Sequence, residues 1–318
     1  MKIIEIMENS EKFSRLTALS KLGVVPNFAD IQQKTVLIVG VGGTGSVAAE
    51  MLVRCGIGKL VLFDYDHVEI ANMNRMFFAP DQIGLRKVDA ASSTLRRISQ
   101  DSSEINGING NITLVEYYCK LKDEIINAQK ISGKDNTLVL CCVDNYSARV
   151  SVNRVCLETE QAWIESGVSE TAVSGHIQVV KPGITACFEC APPTLVVESG
   201  DESKILRNGV CAASLPTTMS IIAGLMVQTG LKMLLRFGDV SGCLGYNALT
   251  DFFPIYKIMP NSDCANDSCR RLQKKILRPK PNENVEQVEQ PEQVIRNSNE
   301  WDIEVVSEPP QANTRSRV

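Results

Sequence analysis

A short apolar run that ends in closely spaced glycines constrains the fold of this chain more than any other stretch. TVLIVG, at residues 35–40, reads as a buried strand, and the loop from Gly40 to Gly45 matches G-x-G-x-x-G. The next residues, 46–57, have the apolar spacing of a helix. Glycines let the backbone approach phosphate oxygens, and free N–H groups at a helix start favour their negative charge. The pattern predicts a nucleotide site, with a glycine-rich packing turn as the alternative, and does not separate NAD from ATP.

Strand and helix patterns alternate along the first half of the chain. The predicted strands after the glycine loop are KLVLFD at 59–64 and TLVLCCVDN at 137–145, and the predicted helices lie within 10–33 and at 84–98, 146–160 and 217–237. This alternation predicts an α/β fold with a doubly wound, mostly parallel sheet. The uncharged stretch from Asn208 to Leu231 is long enough to span a bilayer, but its serines, threonines and Gln228 favour a buried helix of a soluble protein.

Composition narrows the class of protein. The 318 residues carry a net charge of −4, which disfavours nucleic acid as a partner. The first residues include Glu5, Glu8, Lys12 and Arg15 instead of the apolar core of a secretory signal, so we expect a cytoplasmic protein. In that setting, 11 cysteines indicate free thiols and metal ligands rather than a disulfide framework.

Charged and amide side chains follow the predicted strands, at the sheet edge where nucleotides bind in such folds. They are Asp64, Asn72, Asn74, Arg75, Lys87, Asp144 and Asn145. Asp64 comes about 20 residues after the glycine loop, where a carboxylate can hold ribose hydroxyls. Hydride transfer does not require two cations and a second carboxylate, whereas nucleotidyl transfer does, because joining two anions needs positive charge and a metal ion such as Mg²⁺. Taken singly, Arg75 and Lys87 read as solvated charges and Asp144 as a helix cap.

Two pairs of cysteines have the spacing of metal ligands. Cys187 and Cys190 are separated by two residues, and Cys264 and Cys269 by four. Four thiolates would satisfy a tetrahedral Zn²⁺ and leave no open position, which is typical of a structural site. Both pairs lie in turn-rich sequence, which favours zinc over the alternatives of buried free cysteines or a redox pair.

A further cysteine, Cys211, lies in the small-residue stretch GVCAASLPTT, just before the long apolar helix. Near the start of that helix, the dipole would favour its thiolate and make it a nucleophile. The alternative is a buried thiol, which is the commonest environment of cysteine. The stretch alone does not decide between the two.

Seven motifs together resemble the ubiquitin-like modifier-activating enzymes over residues 13–308. They are GVGGTGS, FDYDHVEIANMNR, CVDN, ESGVSE, CFECAPP, GVCAASLPTT and LGYNALTDFFP. The resemblance implies a Rossmann-like fold of the ThiF/MoeB type, a homodimer, a zinc-anchored segment that carries the catalytic cysteine, and a disordered C-terminal tail. It also implies ATP-dependent adenylation of a modifier's C-terminus, followed by thioester formation and transfer to a conjugating enzyme.

The resemblance assigns roles to individual residues. Cys211 would form the thioester, Arg75 would stabilise phosphate charge, and Asp144 would serve Mg²⁺ and the adenylation step. The ATP contacts would be Gly43, Asp64, Lys87, Asn111 and Asn145, and the ligands of a structural zinc ion would be Cys187, Cys190, Cys264 and Cys269.

The resemblance also implies partners. Ubiquitin-fold modifier 1 would be the modifier, with His176 and Asp251 facing its C-terminal tail and Arg15 reaching the partner protomer's nucleotide. Apolar and acidic residues alternate in 299–308, so this segment could add to a partner's sheet edge, or dock on the chain's own domain. It resembles a modifier-interacting motif that also binds autophagy-related ubiquitin-like proteins. Its apolar residues are Trp301, Ile303, Val305 and Val306.

The predicted organisation has five segments. They are an N-terminal helix and connector at 1–33, an adenylation domain at 34–274 with the catalytic-cysteine segment at about 191–237, a polar, disordered linker at 275–298, the modifier-interacting motif at 299–308, and the tail at 309–318. Three other functions stay open: an adenylating enzyme for a sulfur-carrier protein, a non-catalytic half of an activating enzyme, and an NAD-dependent oxidoreductase. The acidic motif at 299–308 disfavours the sulfur-carrier function. The presence of all the charged residues that adenylation needs disfavours a non-catalytic half, and the Asn-Arg segment at 72–75 disfavours an oxidoreductase.

Overall fold

A mixed sheet of eight strands forms the centre of the structure, a computed structural model that describes residues 11–190 and 213–277. The strands are β1 (Thr35–Val39), β2 (Lys59–Asp64), β3 (Glu104–Asn109), β4 (Thr137–Cys141), β5 (Trp163–Val168), β6 (Ser174–Val180), β7 (Cys243–Asn247) and β8 (Ile255–Tyr256). Their order is β3-β2-β1-β4-β5-β6-β7-β8. The pairs from β3 to β5 are parallel, and the pairs from β5 to β8 are antiparallel. The predicted doubly wound, mostly parallel sheet is confirmed.

Helices cover both faces of this sheet. They are α1 (Ser14–Lys21), α2 (Gly43–Arg54), α3 (Lys87–Ser99), α4 (Val115–Ser132), α5 (Tyr146–Glu158), α6 (Pro216–Leu235) and α7 (Asp267–Leu277). Short 3₁₀ turns lie at Glu11–Phe13, Phe28–Gln33, Ile70–Asn74, Pro80–Gln82 and Lys134–Asn136. Apolar residues of α2, α3 and α6 form one core with the sheet, and those of α4, α5 and α7 form the other.

β1 shows why the sequence folds this way. All five of its residues are buried. Val36 and Ile38 belong to the core under α2 and α6, and Leu37 and Val39 belong to the opposite core. Because successive side chains of a strand point to opposite faces, a run of four apolar residues fits only a strand covered on both sides.

Several elements were not predicted, β3 and α4 among them, and one strand is shorter than expected. The sequence of β3, EINGIN, is polar and half-exposed, so it has no apolar run to mark it. α4 has a polar outer face and few buried residues, so its sequence shows no clear helical spacing of apolar residues. β4 ends at Cys141 instead of Asn145, because the chain turns there and Asn145 caps α5 through its side chain, which accepts a bond from the Ala148 N–H.

Helix α6 is long and apolar enough to cross a membrane, as judged by length and composition. Its residues Ile222, Ala223 and Met226 are completely buried in the core that α6 shares with α2 and the sheet. A helix that lies in the core of a globular domain has the same apolar composition as a membrane span, so the packing accounts for its sequence.

The boundary predicted at residue 275 falls inside a helix. α7 continues to Leu277, and Lys275 Nζ lies 2.8 Å from Glu160 Oε1 at the end of α5. Leu272 anchors the helix in the core on that side of the sheet. The start of the predicted linker is therefore wrong by three residues, and 278–298, the motif at 299–308 and the tail lie outside the described residues.

Candidate active site and metal centre

The glycine loop packs against the end of β4, and this packing explains two of its glycines. Gly40 has a φ of +91°, and a Cβ atom there would lie 2.7 Å from the carbonyl oxygen of Cys142. A Cβ atom on Gly45 would collide with the carbonyl oxygen of Gly40. Because α2 begins at Gly43, the free N–H groups of its first turn lie within the loop. The loop is both a packing turn and a set of donors that suits a phosphate.

Asp64 ends β2 and holds the glycine loop in place. One carboxylate oxygen accepts a hydrogen bond of 2.6 Å from the Val41 N–H, and the other accepts one of 2.9 Å from the Asp66 N–H. Burial raises the pKa of this carboxyl group, although the nearby charge of Lys87 partly offsets the effect. A carboxylate has about four acceptor positions, so these two bonds leave capacity for ribose hydroxyls.

Lys87 begins α3 with its ammonium group almost buried. Its Nζ lies 2.8 Å from Asp66 Oδ2, and its side chain is 10% exposed, against 47% for Asp66. Asp66 is thus the counter-ion of the predicted phosphate-binding lysine. This role of Asp66 was not predicted, although the D-x-D spacing at the end of β2 could have indicated it.

Arg75 lies over the glycine loop and links it to the chain before α6. Its Nη1 atom is 3.9 Å from the Cβ position of Gly42. Its Nε donates a hydrogen bond of 3.1 Å to Ser214 Oγ. The first turn of α6 also reaches the loop, because the Met219 sulfur would collide with a Cβ atom on Gly43. The structure therefore brings the predicted phosphate-binding arginine to the predicted phosphate loop.

Asp144 and Asn145 follow β4 at the same edge of the sheet as Asp64. Asn145 Oδ1 accepts a hydrogen bond of 2.8 Å from Ala148 N, and Asp144 is exposed. β2 and β4 both pair in parallel with β1, which places the ends of these strands at one edge of the sheet. The phenol pKa of Tyr65 is raised by Asp66 first, then by partial burial, by Asp144 and by Asp64. The cap predicted as the alternative for Asp144 is provided by Asn145 instead.

The end of β3 and the turn that follows it carry two asparagines near the end of β2. The side chain of Asn111, a predicted ATP contact, accepts bonds of 3.0 and 2.8 Å from the backbone N–H and hydroxyl of Thr113, so it shapes the turn before α4. Asn109, two residues earlier, pairs in register with Asp64. Its Oδ1 atom is buried and has no hydrogen-bond partner among the described residues. Asn109 was missed because β3 itself was not predicted.

Three other residues that the resemblance singled out lie on different elements. Arg15 is exposed on α1. His176 lies on β6, where its Nε2 is 2.9 Å from Glu165 Oε2. Asp251 is exposed in the turn after β7, with a φ of +50°. Cys211 and the modifier-interacting residues Trp301, Ile303, Val305 and Val306 lie outside the described residues.

The four predicted zinc ligands meet at one place. Their Sγ atoms lie within 4.8 Å of one another, with separations of 3.7 Å for Cys187–Cys264 and 3.6 Å for both Cys190–Cys187 and Cys190–Cys269. Zn–S bonds of about 2.3 Å in a tetrahedron place sulfur atoms about 3.8 Å apart. Contacts with Cys187 and Cys269 hold the pKa of the Cys190 thiol far below its usual range. Donor type, number and spacing therefore fit a structural zinc ion.

Hydrogen bonds around the cysteines tie three elements together. Glu189, between Cys187 and Cys190, accepts bonds of 2.8 Å from Asn153 Nδ2 and 2.7 Å from Asn266 Nδ2. Asn153 belongs to α5, and Asn266 lies directly before α7. The cluster thus fixes α7 and the loop after β6 onto α5, which is the function of a structural metal site.

We expect about one zinc ion per chain in the purified protein, and Cys264→Ser should remove most of it. Structural zinc binds peptides with about 10 kcal/mol or more. If the loss of zinc lowered the free energy of unfolding by only a third of that amount, the Tm of a domain of this size would fall by about 6–12 °C. Elemental analysis and thermal melting measure both effects. Cys119→Ser is the matched control, because that thiol is exposed on α4. A metal-free protein with an unchanged Tm would contradict the site.

Comparison with known sequences identifies relatives along almost the whole chain. Residues 13–268 match the ThiF family. Ubiquitin-like modifier-activating enzyme 5 of Drosophila melanogaster is 54% identical over 308 residues, which cover 96% of this chain and 76% of the relative. The protein of the same name from Gallus gallus is 52% identical over 306 residues, or 94% and 76% of the two chains.

Solved structures of distant sequence share the fold. The E. coli MccB structure with ATP superimposes with a TM-score of 0.63 at 19% identity, covering 81% of this chain and 75% of that one. The microcin C7 biosynthetic enzyme MccB, in complex with N-formylated MccA, gives a TM-score of 0.65 at 19% identity, with the same coverage. These structures support the fold, and the closer sequences support the resemblance that the seven motifs indicated. The chain therefore belongs to the ThiF family and groups there with the ubiquitin-like modifier-activating enzymes.

Proposed function

We propose that this chain activates a ubiquitin-like modifier in two steps, adenylation of the modifier's C-terminal carboxylate by ATP and transfer of the acyl group to Cys211. The observation that supports this most directly is the convergence of Arg75 and the start of α2 on the glycine loop, with Lys87 and Asp144 at the same sheet edge. An enzyme that binds a nucleotide for hydride transfer does not need this charge.

The first step joins two anions. An oxygen of the modifier's carboxylate forms a bond to the α-phosphorus, the bond to the β-phosphate oxygen breaks, and pyrophosphate leaves. The guanidinium of Arg75 and the N–H groups of α2 offset the charge that builds up on the phosphate oxygens. In the free protein, Lys87 Nζ lies 2.8 Å from Asp66 Oδ2. When ATP binds, the Lys87 ammonium group exchanges this contact for a phosphate oxygen.

Mg²⁺ prefers oxygen ligands, and the exposed carboxylate of Asp144 at the end of β4 suits it. When bound with ATP, the ion would neutralise phosphate charge. Asp64 would hold the ribose while keeping the glycine loop fixed through Val41 N. The buried Oδ1 of Asn109, on the strand next to Asp64, has no partner in the part of the chain that the structure describes, and it would accept a hydrogen bond from the nucleotide.

The second step uses a sulfur nucleophile. The Cys211 thiolate forms a bond to the acyl carbon of the adenylate, the bond from that carbon to the phosphate oxygen breaks, and AMP leaves. The thioester keeps the carbonyl activated for a conjugating enzyme's cysteine. Ser214, which Arg75 contacts, follows Cys211 by three residues in the sequence.

The modifier we propose is ubiquitin-fold modifier 1, and its conjugating enzyme is the acceptor. Support comes from relatives at 52–54% identity that are named ubiquitin-like modifier-activating enzyme 5. We further propose a cytoplasmic homodimer whose Arg15 reaches the partner's nucleotide. The segment 299–308 would bind the modifier, and also autophagy-related ubiquitin-like proteins.

Exchange of labelled pyrophosphate into ATP tests the first step directly. We expect exchange only when Mg²⁺ and the matching modifier are both present, at least about 100-fold above the rate without modifier. A modifier that lacks its C-terminal glycine is the control, because it has no correctly placed carboxylate. Indifference to every ubiquitin-like protein offered, together with tight binding of a nicotinamide dinucleotide, would overturn the proposed function.

A further inference from the structure

A buried carboxylate that the proposed reaction does not use lies one strand away from Asp144. Glu165 is the third residue of β5 and pairs in register with Cys141, the last residue of β4. Its side chain is only 1% exposed. An ionised carboxylate is costly to bury, so a fold keeps one only where other groups compensate its charge.

Two side chains compensate Glu165, one at each oxygen. Arg149 Nη1, from α5, donates to Oε1. His176 Nε2, from β6, lies 2.9 Å from Oε2 but off the direction of a hydrogen bond, so Oε2 has no hydrogen-bond partner among the described residues. Burial by itself would raise the pKa of Glu165, but the charge of Arg149 and the close contact with His176 together hold it below its usual range. Glu165 is therefore ionised at neutral pH and pairs with both groups.

Gly167 shows that the arrangement is closely packed. A Cβ atom at this position would lie 2.6 Å from His176 Cε1 and 3.2 Å from Arg149 Nη1. The imidazole and the guanidinium thus fill the space where a side chain would be. Because Arg149 is only 15% exposed, pairs with Glu165 and lies where a Gly167 side chain would be, its guanidinium has little freedom to turn.

The other end of the Arg149 guanidinium reaches the turn that carries Asp144. Its Nη2 donates a hydrogen bond of 2.9 Å to the carbonyl oxygen of Val143. Val143 lies between the end of β4 and Asp144, where the chain leaves the sheet. On the other side of the turn, Asn145 caps α5. The turn is thus fixed from both sides, and Arg149 provides one of the two anchors.

We propose that Glu165 is a positioning residue for adenylation, which acts through Arg149 and the Val143 carbonyl to fix the turn that presents Asp144. This inference rests on the proposed function, because Asp144 is its target. Glu165 touches neither nucleotide nor modifier in this scheme. A planar guanidinium is required, since one end must bind the carboxylate while the other binds the carbonyl.

Pyrophosphate exchange tests this chain of contacts in three variants, Glu165→Gln, Arg149→Lys and the double variant. We expect each single variant to lower kcat by about 10–100-fold, as is typical when the partners of a functional ligand are removed. The KM for ATP should stay within about threefold, because the glycine loop and Asp64 are untouched. The double variant should be no slower than the slower single variant, since both changes break the same chain.

Glu158→Gln is the matched control, because the Glu158 carboxylate also pairs with a cation, Lys122. Glu158 is the last residue of α5, whereas Arg149 lies in the first turn of the same helix. Thermal melting confirms that each variant is folded at the assay temperature, and Glu165→Asp, which keeps the charge, should recover part of kcat. If Glu165→Gln does not fold, Arg149→Lys carries the test alone. A wild-type kcat in these variants, or strictly additive losses, would overturn the positioning role. Failure of exchange in the wild-type protein would instead overturn the proposed function.

Discussion

Asp144→Ala is expected to remove pyrophosphate exchange almost completely, by about 10²–10³-fold or more. The carboxylate lies at the end of β4, close enough to Asp64 and Asp66 to act with them on the pKa of Tyr65. In the proposed reaction its carboxylate would hold Mg²⁺, which would neutralise phosphate charge. Without it, the carboxylate of the modifier would approach a triphosphate whose charge is not neutralised.

The substitution is expected to leave the fold intact. Asp144 is exposed, and Asn145 and not Asp144 caps α5, so the Tm should change little. Asp144→Asn separates charge from shape, because it keeps a side chain of the same size, and it should be almost as inactive as the alanine variant. Asp135→Ala is the matched control, since that carboxylate forms an exposed ion pair with Arg236, far from the glycine loop in sequence. Normal exchange by Asp144→Ala would show that the metal role belongs elsewhere.

The sequence predicts the strands around this site well because their signals are local. An apolar run that ends in glycine or in a carboxylate reads as a buried strand whose end faces a ligand, and β1 and β2 lie where they were predicted. The cysteine signal is local for the same reason. Two pairs of cysteines, each with a short gap, are typical of the ligands of one metal ion. The structure brings their sulfurs together at separations that suit zinc.

The partners of these residues could not be predicted, because they come from distant parts of the chain. Ser214 meets Arg75 across 139 residues, and Glu165 meets His176 only because β5 and β6 pair antiparallel. The sequence contains Glu165 within ESGVSE, but a charged residue in an apolar strand does not reveal which cation compensates it. Asn109 was missed for a related reason, since β3 is too polar to be recognised without its neighbour β2.

The two proposed steps use different groups, so a second substitution should separate them. Cys211→Ala is expected to abolish the modifier adduct that a reducing agent cleaves, while exchange stays within about threefold of the wild-type rate. The reason is that pyrophosphate exchange reports formation and reversal of the adenylate, in which the sulfur takes no part. Removing a nucleophile leaves no alternative route to a covalent thioester, so the adduct should be undetectable instead of reduced.

Non-reducing gels of the protein with ATP, Mg²⁺ and modifier measure the adduct, and exchange is measured on the same samples. Cys211→Ser should accumulate an ester that survives the reducing agent, because a hydroxyl is a weaker nucleophile and forms a less reactive product. Cys119→Ala, which removes an exposed thiol on α4, should behave as wild type. A reducible adduct that persists in Cys211→Ala would assign the second step to another cysteine. Loss of exchange as well would mean that Cys211 contributes to adenylation, and the two steps could no longer be assigned to separate groups.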